Sequence, residues 1–302
     1  MLPASVHDTC LGCHGDSAAR AASAGRGALA KAEALADIGA DMRKPSRHSL
    51  PSPGQPAPPP LRFTGANQAA STVISCDSCH DTHYAVKTLA QDKTDVTRVR
   101  QIGNARHGAR PEYELCYRCH GGAARAGGLQ DIQRLVRQGN PSFHPVEAIG
   151  RNNDMQSLIQ PYTIQSYTAC TDCHGSEQAN GPRGPHGSAF KPILKARFQA
   201  DDGFAETADQ YALCYLCHNR NIVVSENPGS FRFHKKHVQD EKASCRACHN
   251  SHGSTQYTHL IDFDTRIVFP NSKHELRYTD NGGHKGACSL LCHDEDHVNR
   301  GY

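Results

Sequence analysis

Residues 245–253 read CRACHNSHG, two cysteines and two histidines within eight positions of a polar stretch. Two cysteines separated by two residues with a histidine directly behind, here Cys245, Cys248 and His249, form the attachment signature of c-type haem. The signature recurs along the whole chain. All fourteen cysteines fall into pairs followed at once by histidine: Cys10, Cys13 and His14; Cys76, Cys79 and His80; Cys116, Cys119 and His120; Cys170, Cys173 and His174; Cys214, Cys217 and His218; Cys245, Cys248 and His249; Cys288, Cys292 and His293. With 20 histidines in 302 residues, seven such coincidences do not arise from composition.

The chemistry accounts for the spacing. Each sulfur adds to a porphyrin vinyl group, the short loop sets the two thioethers at the separation of the vinyls, and the next residue arrives under the iron, where neutral imidazole is a good ligand. Cys288 and Cys292 are separated by three residues instead of two, and His293 keeps its place behind them, so a seventh haem is expected there. Structural zinc needs paired Cys-x-x-Cys motifs or finger spacing and gives no reason for a histidine after every pair. Cysteines at i and i+3 make poor disulfide staples, and no βαβ context supports a thioredoxin-like site.

The chain has 37% hydrophobic content and no tryptophan, little apolar material for its length. Seven macrocycles can serve as the core that the polypeptide lacks, as metal sites do in small folds. The expected fold class is mostly irregular coil with a few short α-helices, wrapped around a chain of covalently bound haems, with little or no β-sheet. No run of eighteen apolar residues is present, so no membrane span is expected. The opening MLPASVHDTC lacks the pattern of a secretion signal; because haem c is attached outside the cytoplasm, export is inferred from the chemistry. The formal charge of +3 omits the cofactors. Fourteen propionates against seven ferric centres bring it to about −4 oxidised and about −11 reduced, which removes the case for nucleic acid as a partner.

The motifs at 116 and 214 follow a common lead-in, YELCYRCH and YALCYLCH, whereas those at 76, 170 and 245 do not; two kinds alternate. From the second kind to the next of the first kind, or to the motif at 288, is 40, 44 and 43 residues. The expected organisation is a half unit with one haem over 1–47 and doubled haem units over 48–143, 144–236 and 237–302. Residues 51–60, PSPGQPAPPP, read as an extended polyproline loop, residues 18–42 as Ala-rich and mildly helical, and residues 129–138 as a short amphipathic helix.

On these alternating motifs and on stretches such as NPSFHPVEAIGRN, FHKKHV, CHNSHG, HLIDFD and CSLLCHDEDH, the chain resembles the doubled-CXXCH multihaem cytochromes c, a family of exported electron carriers. The resemblance implies seven bis-histidine haems packed in sequence and a role in electron transfer. In the doubled pattern a histidine just behind one motif cannot bend back to its own iron and serves a neighbour. On that logic His83 serves the haem of Cys116, His186 that of Cys214 and His252 that of Cys288. His48, His144 and His237 serve from upstream the haems of Cys76, Cys170 and Cys245. The first haem is left without a distal ligand. His297 or His259 of a neighbouring copy is the expected source, with His7, His107 or His234 of the same chain, or an open site, as alternatives; His107, His274 and His284 are otherwise read as bystanders.

Irons that are all six-coordinate suit conduction, whereas a catalyst needs an open distal site. The expectation is an electron conduit, extracellular or at the cell surface, whose partners are other redox proteins or head-to-tail copies of itself. The alternatives are a monomeric periplasmic shuttle and a multihaem reductase.

Overall fold

The computed structural model describes residues 6–25, 36–49, 74–80, 95–104, 108–122, 130–226 and 229–302. The Pro-rich stretch 51–60, His83, His107 and the first residue of the expected helix at 129–138 lie outside them. In chain order the elements are α1 (Val6–His14), α2 (Ser17–Gly25), α3 (Ile38–Asp41), β1 (Ser46–Arg47), β2 (Gln101–Asn104), β3 (Gly108–Pro111), α4 (Glu112–His120), α5 (Ile132–Leu135), β4 (Ser142–Phe143), α6 (Cys170–Cys173), β5 (Gly187–Ser188), α7 (Arg220–Val223), α8 (Cys245–Cys248), β6 (Gly253–Ser254), β7 (Arg277–Gly282), β8 (Lys285–Cys292) and β9 (Glu295–Gly301). Two 3-10 turns cover Cys76–Ser78 and Cys214–Leu216, and a π-helical turn covers Lys236–Asp240.

The chain divides into two compact units. One comprises residues 1–91, 101–131 and 169–196, with the motifs at 10, 76, 116 and 170; the other comprises 92–100, 132–168 and 197–302, with the motifs at 214, 245 and 288. These units follow spatial contact, whereas the four-part division expected above follows motif pairing.

Six motifs occupy a single helical or 3-10 turn, and the local sequence explains why. A short polar side chain starts several of them. Ala169 N–H donates to Asp172, and Ala247 N–H donates to the Ser244 hydroxyl, satisfying amides that a helix start leaves unpaired. The turn then closes from the histidine amide to the first cysteine carbonyl, at 2.9 Å for His80, His174 and His249 and 3.0 Å for His218. One helical turn thus carries both thiols and the imidazole.

A small cassette occurs once in each unit. In the first, β1 pairs antiparallel with β5, Ser46 opposite Ser188 and Arg47 opposite Gly187. In the second, β4 pairs with β6, Ser142 opposite Ser254 and Phe143 opposite Gly253. His48 N–H donates to the His186 carbonyl, and His144 N–H to that of His252. Ser46 and Ser142 hydroxyls each accept a backbone amide, from Ile193 and Leu260, both at 2.8 Å. Gly187 and Gly253 are required by close approach: a Cβ would lie 2.0 Å from the Asp41 carbonyl oxygen in one case and 2.1 Å from that of Leu135 in the other.

The second unit ends in a three-stranded antiparallel sheet, β7-β8-β9, which the sequence reading leaves out. Its β8 carries Cys288 and Cys292. Ala247, Val268 and Leu290 form a buried cluster against which Cys248, Cys288 and Cys292 pack, so this apolar core contains three of the thiols. Among the described residues no helix is long and apolar enough to cross a membrane.

Candidate haem centres

None of the fourteen cysteines is in a disulfide. Within each unit, thiols of successive motifs lie beside one another in chain order. Cys10 and Cys76 are within hydrogen-bond reach, Cys79 is close to Cys119 and Cys116, and Cys116 and Cys170 are within hydrogen-bond reach. In the second unit Cys214 neighbours Cys245, and Cys248 neighbours Cys288 and Cys292. Burial pushes the Cys76 and Cys248 thiols up to about 12 and those of Cys214, Cys288 and Cys292 to about 11. These are neutral, packed thiols, unlike the depressed thiolates of redox catalysts. Glu112, buried on α4, accepts from the Thr171 amide at 3.0 Å and its hydroxyl at 2.8 Å, tying the motif at 116 to that at 170.

The histidines are held by one nitrogen. Nδ1 of His48 bonds the Pro185 carbonyl (2.8 Å), that of His174 the Pro192 carbonyl (2.9 Å), that of His234 the Val223 carbonyl (3.0 Å), that of His237 the Phe233 carbonyl (2.8 Å) and that of His249 the His259 carbonyl (3.0 Å). His144 bonds the Ser251 carbonyl and His218 the Ser157 hydroxyl. A carbonyl on Nδ1 fixes the tautomer that leaves Nε2 as a donor pair for a metal. Burial lowers the pKa of His48, His80, His120, His144, His174 and His249, and takes His186 and His218 to about 4 and His234 to about 3. They are kept as neutral imidazole, the ligating form.

A metal–imidazole bond of about 2 Å, with about 1.2 Å from nitrogen to ring centre on each side, sets two axial rings about 6.4 Å apart. Four histidine pairs lie near this separation: His80–His186 at 6.0 Å, His48–His120 at 6.3 Å, His234–His249 at 6.1 Å and His237–His297 at 6.5 Å. Three of the four include a histidine that directly follows a cysteine pair. His186 also has a buried Nδ1 with no hydrogen-bond partner, a polar atom left over beside the His80 ring. Among the described residues no three of His, Cys, Asp and Glu converge to cage a bare ion. The donor set therefore fits flat groups gripped from two faces.

These pairs differ from those expected of the doubled pattern. His48 faces His120 rather than His80, and His186 faces His80 rather than His218. His144 lies within electrostatic reach of His218. His249 is faced by His234, which the sequence reading offered only as an alternative ligand for the first haem, while His237 turns to His297. His14 lies within electrostatic reach of His80 and His186, and His174 within that of His120. His252 stands on the β4–β6 ladder beside His144. His259 has Nε2 on the Asp280 carboxylate at 3.1 Å and its carbonyl on His249; His293 has Nε2 on Asp202 at 2.6 Å. Sequence reasoning also missed the carbonyls of Pro192 and His259, each ahead of a residue at positive φ, Ile193 (53°) and Leu260 (58°), that orient proximal histidines.

Comparison with curated proteins and with solved structures gives no match. A family model described as outer membrane cytochrome MtrC/MtrF-like, domains II/IV, matches residues 103–260, which is more than half of the chain and includes four of the seven motifs. With its cysteine pairs on single turns and its imidazoles anchored through Nδ1, the chain belongs to this outer membrane cytochrome family.

Proposed function

We propose that the chain is a heptahaem cytochrome c that conducts electrons along a row of bis-histidine haems at or outside the cell surface. The carrying observation is the set of histidine pairs at 6.0 to 6.5 Å, with the thiols of successive motifs adjacent in chain order. When bound, each haem supplies a one-electron couple. In the six motifs that lie on a helical or 3-10 turn the two thiols would tether a haem and the following histidine would ligate it on the proximal side. The residues that would hold the haems together with those histidines are His186 with His80, His48 with His120, His144 with His218 and His234 with His249. The Nδ1 carbonyls hold His48, His144, His234 and His249 in place whatever the charge on the metal, which favours conduction over substrate binding. The coil and short turns between motifs then act as a wrapper for the haem row. Polymerisation of copies would extend that row.

Intact mass of the purified holoprotein should exceed the 32.8 kDa polypeptide by seven haem masses. Electron paramagnetic resonance should show every haem low-spin. His186→Ala and His234→Ala should each convert one haem in seven to high-spin, at the motifs of Cys76 and Cys245 respectively. Variants that stay wholly low-spin would overturn the ligand pairs; a high-spin fraction already present in the unmutated protein would favour a reductase.

A further inference from the structure

The seventh motif is built unlike the other six. Those lie on one helical or 3-10 turn, whereas Cys288 and Cys292 lie on β8. The strand ends in a tight hairpin, Cys292 opposite Glu295, in which His293 and Asp294 have φ of 49° and 62°. Two successive left-handed residues are the geometry of a two-residue hairpin turn. His293 is thereby turned to Asp202, whose carboxylate receives Nε2–H at 2.6 Å through one oxygen and the Ser244 amide at 2.6 Å through the other. Its ligating nitrogen is thus occupied by a clamp that ties the hairpin to the start of α8.

A different imidazole stands where an axial ligand is needed. His297 on β9 is directly opposite Leu290 on β8. Leu290 lies midway between Cys288 and Cys292, and alternate residues of a strand share a face, as do residues paired directly across it. His297 therefore belongs to the thiol-bearing face. Its ring centre is 6.5 Å from that of His237, with the planes at 36°, the separation of the other three pairs. His237 sits on the π-helical turn with Nδ1 on the Phe233 carbonyl at 2.8 Å. Four strand steps place the two cysteine Cα atoms about 13 Å apart, against about 5 Å for one helical turn. That span is more than twice the one that a helical turn presents to a porphyrin edge, which favours a grip through one of the two thiols.

Resting on the heptahaem reading, we propose that the seventh haem is held between His237 and His297, with His293 outside the coordination sphere, and is tethered by a single thioether from Cys288 or Cys292. In that tether one thiol sulfur bonds to one vinyl carbon and its hydrogen passes to the other, so no oxidant is consumed. The second vinyl and the second thiol remain intact.

The test uses holoprotein, first by intact mass and by alkylation of thiols after unfolding. Seven haems with one alkylated cysteine, at 288 or 292, is the expected result, with a pyridine haemochrome band shifted to the red for one haem. Seven haems with no alkylation would overturn the single tether. Six haems with two alkylated cysteines would overturn the heptahaem reading instead. His297→Met and His237→Met should each give one methionine-ligated haem, with a far-red sulfur-to-iron band and one raised potential, and His293→Met should give neither. A band in His293→Met, or none in His297→Met, overturns the axial pair. His297→Met decides alone if the His293 variant fails to take up its haem.

Discussion

Glu206 shows how one residue can tie a cysteine motif to a histidine-bearing turn. Its buried carboxylate receives the Tyr215 hydroxyl at 2.7 Å, Arg220 at 2.8 and 2.6 Å, and Gln239 at 3.0 Å. Tyr215 lies inside the CYLCH motif and Gln239 on the turn of His237, so the network couples that motif to the turn that carries His237. Burial alone would raise the Glu206 pKa, but the hydrogen bonds from Arg220, Tyr215 and Gln239 outweigh it and hold the group below its usual range. A depressed carboxylate stabilises the fold fully above its unfolded value of about 4.3, and that share is lost as pH falls through the lower folded value. Glu206→Gln should lower stability at pH 7 by about 2–3 kcal/mol, seen as a lower Tm of the holoprotein. The gap to the parent should close below about pH 4; a gap that persists unchanged at low pH would refute the assignment. Residues such as Cys245, Cys248 and His249 were legible in sequence because the chemistry demands a fixed spacing. Distal residues were not. In FHKKH both His234 and His237 are on offer, and both are held through Nδ1, His234 by the Val223 carbonyl and Ser230 hydroxyl at 3.0 and 3.1 Å and His237 by the Phe233 carbonyl at 2.8 Å, contacts that spacing in the sequence does not reveal.

At the scale of elements, the two ladders β1–β5 and β4–β6 position His48 and His144 through residues more than a hundred positions away. Two-residue strands have no periodicity to read, so the HGS triplets at 186–188 and 252–254 were visible but their partners were not. The glycine in each triplet is the sensitive point. Gly253→Ala sets a Cβ against the Leu135 carbonyl, which belongs to backbone and cannot swing aside. We expect a loss of at least about 2 kcal/mol together with a high-spin fraction from the haem facing His144. Gly139→Ala, with open space around its Cβ, serves as the control and should leave both readouts unchanged. A Gly253→Ala protein with parental Tm and spectrum would show that the ladder does not position the ligand. The terminal sheet was more legible than the sequence reading allowed. Asn281-Gly282-Gly283, where β7 ends and the chain turns into β8, is a hairpin signal, with both glycines at positive φ, 74° and 58°. The cysteine motif that follows drew the reading towards another haem turn.

For the whole molecule, the polypeptide and the holoprotein should differ in the sign of their charge. The sequence alone has a formal charge of +3 and a pI near 8.2. Each haem brings two propionates and, when ferric, one compensating positive charge, so seven haems take the net charge to about −4, and full reduction takes it to about −11. The described ion pairs are largely internal to the protein. Arg220 serves Glu206, Lys44 serves Asp41 and Glu177, and Arg266 serves Asp264, leaving those cations already matched before any propionate is added. The holoprotein should therefore focus below pH 7, bind anion exchanger at pH 7.5, and move further towards the anode after complete reduction. A growing negative charge also raises the repulsion between copies, which screening by salt relieves over a Debye length of about 8 Å at 0.15 M. Any assembly of copies should accordingly strengthen with ionic strength and be weaker in the reduced protein at low salt. Isoelectric focusing of air-oxidised and dithionite-reduced samples tests the charge, and light scattering across a salt series tests its consequence. A holoprotein that focuses above pH 8 would mean that the propionates are neutralised within the fold or that far fewer than seven haems are carried.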